Sequence, residues 1–267
     1  MIKPTKTHKI VQAHYAEYAR SSSACCTPMS LLYTPETLQG LPEDIANFSA
    51  GSGNPLSRAD LQLGERVLDL GSGGGLDCFL AAQKVGESGH VIGVDMTLEM
   101  LKRARVGAER LGLKNVEFRE GFLEFLPVVD NSIDVVISNC VLNLSPDKAA
   151  VMCEIFRVLK PGGRIAISDI LTNHPVSKAQ REDHADWCGC TSGALPVGEF
   201  KAKLEQAGFV EIILQPDLEV ARQSISHGEF LTPKDVTIKE ALRSLDNWEK
   251  SEYSIFIPHL ITARKPI

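Results

Sequence analysis

Apolar residues in this chain gather in short runs set between polar, helix-forming stretches. Val67 to Leu70 reads as a buried strand that ends in a glycine-rich turn, and a helix is predicted from Cys78 to Lys84. His90 to Val94 forms a second strand ending in Asp95, and Met100 to Leu111, rich in Arg, Ala, Glu and Leu, reads as a helix. Val116 to Gly121 is a third strand with its terminal turn, and Ile133 to Asn139 a fourth. A helix from Lys148 to Leu159 is closed by Lys160-Pro161-Gly162-Gly163, and Arg164 to Asp169 is a fifth strand. This βα alternation predicts an α/β fold with a mainly parallel sheet covered on both faces. Ligands of such sheets sit beyond the carboxyl ends of the strands, so residues 69–75, 95–96, 121–122 and 139–141 are expected to line one crevice.

The flanks are less regular. Val11 to Arg20 has helical spacing, and Ser21 to Pro28 reads as a loop with adjacent thiols at Cys25 and Cys26. Thr34 and Pro35 suit the cap and first position of a helix, and Phe48 to Pro55 reads as a flexible loop. Beyond residue 170, Ala179 to Trp187 is predicted helical and Cys188 to Leu195 a loop or helix boundary. A helix at Gly198 to Ala207 and strands at Val210 to Leu214 and Ser254 to Ala263 follow, while the polar stretch 217–252 yields no assignable element.

The turn after the first strand carries chemistry. Asp69, Gly71, Gly73 and Gly75 form Asp-x-Gly-x-Gly-x-Gly, where glycine lets the backbone turn tightly and pass close to a ligand. The helix that follows points free amides and its positive dipole end at the same place. Asp95, about twenty residues further on, suits the two hydroxyls of a ribose. The unit therefore reads as a nucleoside-binding βαβ. Its pattern resembles the first motif of class I S-adenosylmethionine methyltransferases rather than the Gly-x-Gly-x-x-Gly of a dinucleotide fold. Asp69 suits a ligand whose amino-acid end carries a positive amine.

Composition narrows the setting. A chain of 267 residues suffices for one α/β domain with an appended region. The net charge of -6, without a basic run, argues against nucleic acid, and no apolar run is long enough to span a bilayer. The first ten residues lack an apolar signal core, and the seven cysteines are an odd count. A cytoplasmic, monomeric protein with thiols rather than a disulfide framework is expected.

Several segments recur together in a family. Cys25-Cys26, GSGNP at 51–55, VLDLGSGGGLD at 67–77, GVDMTLEML at 93–101, SNCVLNLSPDK at 138–148 and Cys190-Thr-Ser-Gly-Ala-Leu195 resemble, in this order, the arsenite S-adenosylmethionine methyltransferases. The resemblance runs from about residue 12 to 215, with a weaker echo at 254–265. It implies a Rossmann-like class I methyltransferase fold: a doubly wound, mostly parallel seven-stranded sheet with an appended C-terminal region. It implies a lid and substrate segment at 1–60, an S-adenosylmethionine-binding domain at 61–170 and an arsenical-binding region at 171–267. The implied reaction moves methyl groups onto thiol-bound trivalent arsenic, with a thiol reductant such as thioredoxin or glutathione. Trivalent arsenic is soft, so thiolates are its natural ligands, and its lone pair needs no general base. The pattern departs from the family at Ser52 and Ser254, where the resemblance would place cysteines.

By the same resemblance Cys190 is the leading arsenic ligand, with Cys188 two residues away and Cys25 and Cys26 as further thiols. Cys78 and Cys153 read as core thiols, and Cys140 as core or cofactor wall. Met96 would pack on adenine, Gly121 and Phe122 would flank the base or simply fill core, and Asn139 and Val141 would face the methionine part. Tyr15 either closes over the sulfonium or is a surface helix residue. His174, His184 and His227 lack metal-ligand spacing. Two other readings keep the fold: a methyltransferase of a small organic molecule or organoarsenical natural product, and a non-catalytic metalloid-binding protein.

Overall fold

A computed structural model describes residues 3–20, 32–48, 50–182, 187–226, 236–252 and 254–267. Helix α1 is Lys6–Arg20, and β1 is Arg66–Leu70. The next elements are α2 (Leu76–Val85), β2 (His90–Asp95), α3 (Leu98–Arg110), β3 (Val116–Glu120) and β4 (Ile133–Asn139). The chain continues as α4 (Lys148–Val158), β5 (Leu159–Thr172), α5 (Val197–Ala207), β6 (Val210–Pro216), α6 (Leu218–Ser226), α7 (Ile238–Leu245) and β7 (Phe256–Arg264).

The seven strands form one sheet in the order β3-β2-β1-β4-β5-β7-β6. Strands β1 to β5 run parallel, and β7 enters antiparallel between β5 and β6. Side chains alternate between faces, and each face has its own core. Leu68, Leu70, Val136, Ile165 and Ile167 meet Met152 and Ile155 of α4 and Phe200 and Leu204 of α5. Val67, Val135, Ile137 and Ala166 meet Phe79 and Val85 of α2 and Leu101 and Ala104 of α3. Burial on both sides explains why these strands read as continuous apolar runs. Each fully buried aliphatic side chain contributes roughly 1.5–3 kcal/mol, so the sheet centre is the most stable part of the molecule.

Thr34 accepts the Thr37 N–H and Pro35 occupies the first helical position, as its sequence position predicts. Three stretches differ from the sequence reading. The fifth strand begins at Leu159, because Leu159 already pairs with Ile133 of β4; Lys160 to Gly163 then lie at a register shift, and pairing resumes at Arg164 opposite Val135. Ala179 to Trp187 is described as a short helix at Lys178–Glu182, with Trp187 and Cys188 again helical and 183–186 outside the described residues. The described residues of 217–252 are largely helical, with 227–235 outside them. α6 buries Val220, Ala221, Ser224 and Ile225, and α7 buries Ala241 and Leu245. Both helices are short, and their narrow apolar stripes are diluted by polar residues. α7 starts from a capping box in which Thr237 and Glu240 bond each other's backbone N–H.

Loss of that cap has a measurable cost. Thr237→Ala is expected to lower stability by about 1 kcal/mol, read as a lower midpoint in urea unfolding with an unchanged slope. A midpoint equal to that of the parent would show that α7 is held by packing alone.

Candidate functional site

Parallel strands β1 and β4 are in register up to Leu70 opposite Ser138. Beyond that pair the chain leaves in two directions, to α2 on one face and to α4 on the other. The gap between them is the topological switch point at which α/β sheets bind ligands. A cavity opens there, lined on one side by Asp69, Gly71, Gly73 and Asp77, and on another by Asp95, Met96, Gly121 and Phe122. Asn139, Cys140 and Val141 form a third side, and Tyr15 and Tyr18 of α1 a fourth. The crevice expected from the strand ends therefore exists.

The glycines do different work. A Cβ on Gly71 would lie 2.3 Å from Val141, so the two arms of the switch point touch only because residue 71 has no side chain. A Cβ on Gly73 would meet nothing closer than the Gly71 carbonyl at 4.0 Å, so it would project into open cavity. Gly75 lies outside the lining. It starts α2 at φ +93°, and a Cβ there would strike Phe79 at 2.7 Å, so its role is helix packing rather than ligand contact.

Four carboxylates, Asp69, Asp77, Asp95 and Glu124, line the cavity, and no lysine or arginine is among its described lining residues. Burial raises the Asp69 carboxyl well above the usual carboxylate range, and nearby Asp77 adds to it. Burial also raises Asp77 and Asp95. Asp95 is restrained by the N–H groups of Gly73 at 2.9 Å and Thr97 at 2.8 Å. Asp77 accepts from Tyr33 at 2.5 Å and from Asn139 at 3.2 Å, and Asp69 accepts from the Cys78 thiol at 3.1 Å. Carboxylates crowded in a cavity without a cation fit a cationic ligand. The open space at Gly73 and the positive end of α2 leave room for it to approach the backbone. These features fit S-adenosylmethionine, which carries an ammonium and a sulfonium.

Asn139 is largely committed to protein. Its Oδ1 accepts from the N–H groups of Ser52 and Gly53, and its Nδ2 donates to the Gly53 carbonyl at 2.8 Å. It thus ties the 51–53 loop to the end of β4. Ser52 is buried there, and its hydroxyl has no hydrogen-bond partner among the described residues. Helix α1 closes the cavity: Gln12 donates to the Met96 carbonyl at 2.6 Å, and Tyr15 donates to the Cys188 carbonyl at 3.2 Å. His8 packs on Phe122 at 4.9 Å and lies 3.1 Å from Glu124.

The thiols sort by place. Cys190 is buried and its thiol donates to the carbonyl of Cys140 at 3.0 Å, while Cys140 itself lines the cavity. Both adopt left-handed backbone, with φ of 58° at Cys140 and 65° at Cys190. Such residues cost on the order of 1–3 kcal/mol each and persist only where their surroundings hold them. Cys188 is buried beside them in one apolar cluster with Ile170, Ala221, Ile225, Leu245 and Trp248, so α6 and α7 complete the pocket around the thiols. Cys140 is wall, as expected from the sequence, but its closeness to Cys190 is invisible there because fifty residues separate them in the chain. Cys78 is buried as expected, whereas Cys153 is exposed on the solvent side of α4. Cys25 and Cys26 lie outside the described residues, as do His184 and His227. His174 is half-buried and lies 2.7 Å from the Ser251 carbonyl. Among the described residues no three His, Cys, Asp or Glu are grouped to hold a metal ion, and no helix is long and apolar enough to cross a membrane.

A family profile described as a methyltransferase domain matches residues 61–208. An arsenite methyltransferase of Halobacterium salinarum is 42% identical over 233 residues, covering 80% of this chain and 60% of that protein. One from Aquipseudomonas alcaligenes is 40% identical over 228 residues, covering 80% of this chain and 65% of that protein. The crystal structure of an arsenic(III) S-adenosylmethionine methyltransferase from Chlamydomonas reinhardtii superposes with a TM-score of 0.64 at 30% identity, covering 91% of this chain and 75% of that one. The chain spans about 60% of the length of the Halobacterium relative and 65% of the Aquipseudomonas one.

The crowded carboxylates give a direct test. A carboxyl whose folded pKa is raised costs stability increasingly as pH rises from its unfolded to its folded pKa, so a neutral isostere relieves the cost. Asp69→Asn is expected to raise the thermal midpoint of the ligand-free protein at pH 7.5 and to abolish the thermal shift produced by S-adenosylmethionine. An unchanged ligand-induced shift would remove Asp69 from the site.

Proposed function

We propose that this chain, which belongs to the arsenite S-adenosylmethionine methyltransferase family, methylates trivalent arsenic held by Cys140 and Cys190. The observation that supports this reading is the contact of the buried Cys190 thiol with the backbone carbonyl of Cys140, which itself lines the cavity between β1 and β4. Asp95 would hold the ribose hydroxyls, Asp69 the amine end, and Met96, Gly121 and Phe122 the base. Gly71 and Gly73 keep the backbone close to the ligand, and Tyr15 covers it from α1. When bound, S-adenosylmethionine supplies an electrophilic sulfonium methyl to the lone pair of the thiol-held arsenic. The protein's task is then positioning and exclusion of water, since the nucleophile carries no proton to remove. Two thiolates hold arsenic by soft-ligand preference. Methylation leaves pentavalent arsenic, so a thiol reductant of a cytoplasmic type must return the product to the trivalent state.

Ser52 shapes the substrate. It brings an oxygen to the position where the family pattern has a cysteine, and oxygen is a poor ligand for soft arsenic. A site with two thiolates suits an arsenical that already carries one carbon, so methylarsenite is the better substrate than inorganic arsenite. Cys188 stands near the pair as a spare thiol.

Purified protein with labelled S-adenosylmethionine, excess thiol and either arsenite or methylarsenite tests the reading by chromatography of the products. Methylated arsenic is expected, more from methylarsenite, and Cys140→Ser or Cys190→Ser is expected to cut turnover by about a hundredfold or more. Ser52→Cys is expected to raise the rate with inorganic arsenite. Product from neither arsenical with cofactor binding intact would move the assignment to a small organic substrate. Stoichiometric arsenical binding without methyl transfer would favour a metalloid-binding protein.

A further inference from the structure

Lys148 opens helix α4, where the helix dipole disfavours a cation, and it is only 8% exposed. A buried ammonium is costly unless its donors are used. Two are: Nζ donates to the carbonyls of Ser145 at 3.0 Å and Asn143 at 3.3 Å. The same nitrogen lies 5.9 Å from the centre of the Trp187 ring and would stand 3.3 Å from a Cβ on Gly193. It therefore sits between two segments, 140–145 after β4 and 187–193 around Cys190.

Each segment has other anchors that converge on the same place. The Leu142 N–H donates to Asp169 at 2.9 Å, Asn143 Nδ2 donates to the Ile170 carbonyl at 2.7 Å, and Trp187 Nε1 donates to the Leu144 carbonyl at 3.2 Å. A Cβ on Gly193 would fall 1.9 Å from the Asn143 carbonyl oxygen, so the two segments touch backbone to backbone. At the end of this contact Cys140 and Cys190 meet, both in left-handed backbone that does not persist without support. Charge agrees with geometry. Burial lowers the Lys148 ammonium to about 8, while Asp169 and Cys190 hold it up against Arg181 and Lys203. Burial raises Asp169 to about 6.

We propose that Lys148 is a positioning residue for the thiol pair: its ammonium ties the 143–145 carbonyls to the turn after Cys190 and thereby sets the approach of Cys140 to Cys190. The proposal rests on those two thiols being the arsenical site. Lys148 is not among the cavity-lining residues and its bonds go to the Asn143 and Ser145 carbonyls rather than to Asp69, Asp77 or Asp95, so its larger effect is expected on the arsenical. A buried methionine would pack as well and avoid the charge, so packing alone does not account for a lysine here.

Phenylarsine oxide, which bridges two suitably placed thiolates, is the probe, used without S-adenosylmethionine so that no methyl transfer accompanies binding. Its 1:1 dissociation constant is measured for the parent, Lys148→Met, Lys148→Arg and Gly193→Ala, with the S-adenosylmethionine dissociation constant and the thermal midpoint in parallel. Lys148→Met is expected to weaken phenylarsine oxide about tenfold or more and to lower kcat/KM for methylarsenite comparably, with S-adenosylmethionine affinity within about twofold of the parent. Lys148→Arg should recover most of the loss. Gly193→Ala, which keeps the ammonium but pushes the segments apart, should reproduce it. Unchanged phenylarsine oxide affinity in Lys148→Met would overturn the proposal. So would a parallel fall of both affinities and the thermal midpoint, which marks a merely structural lysine. A parent that binds phenylarsine oxide but methylates no arsenical would sink the methyl-transfer reading and leave the Lys148 comparison standing.

Discussion

The molecule depends on one constraint, the parting of two paired strands. β1 and β4 hold each other through Leu70 opposite Ser138, and past that pair each keeps only its other neighbour, Gly71 N–H bonding the Val94 carbonyl and Asn139 pairing with Ser168. The positive end of α2 then faces a gap between them that protein does not fill. The gap stays narrow because Gly71 admits Val141 to within contact. It is closed above by α1, whose Gln12 and Tyr15 reach to opposite walls, Met96 on one and Cys188 on the other. One helix thus spans the carboxylate side and the thiol side. In the proposed reaction, donor and acceptor would meet under it.

Electrostatic cost and function are coupled at this gap. Asp69, Asp77 and Asp95 are raised by burial, and no described basic side chain of the lining answers them. Ionised carboxylates in such a place weaken the ligand-free fold. A cationic ligand returns that free energy on binding, so affinity and instability have one source. The arrangement extends through hydrogen bonds. Tyr33 donates to Asp77, Asp77 accepts from Asn139, and Asn139 gathers Ser52 and Gly53. The 51–53 loop is thereby tied to the acid cluster.

Most of the sheet could be read from the chain because parallel strands buried on both faces are apolar along their whole length. Val67 to Leu70 and Ile133 to Asn139 need no tertiary information to be recognised. The switch-point glycines were legible for the same local reason, although the pattern could not separate Gly73, which faces the cavity, from Gly75, which faces Phe79. What stayed hidden depends on distance in the chain. Cys140 looked like wall until Cys190 came beside it. Lys148 looked like the charged end of a helix until the Cys190–Gly193 turn buried it. Cys153 looked buried because Met152 and Ile155 around it are, yet it falls on the outer side of α4. α6 and α7 gave weak signals because they bury only a few residues each, against the thiol cluster rather than the main sheet.

The placement of α6 and α7 bears on how this fold accommodates its chemistry. The sheet from β1 to β5 makes a nucleoside site wherever its switch point falls, and nothing in that core is specific to arsenic. Specificity enters through segments the core does not need. Ser52 stands in a loop tied to Asn139, Cys140 in the turn before α4, and Cys190 in a turn walled by Trp248 and Leu245. Cys140 and Cys190 share an apolar cluster distinct from the two that face the sheet, and Ser52 lies on a loop, so each can change without disturbing the strands' own cores. Ser52 illustrates the consequence of this separation. Its hydroxyl is buried with no described partner, so the fold gains nothing from it. A sulfur atom at the same place would cost no hydrogen bond and would add a soft ligand. In the proposed function, the number of thiolates around the arsenic, and with it the choice between inorganic and methylated substrate, would be set on a loop whose composition the stability of the sheet does not constrain.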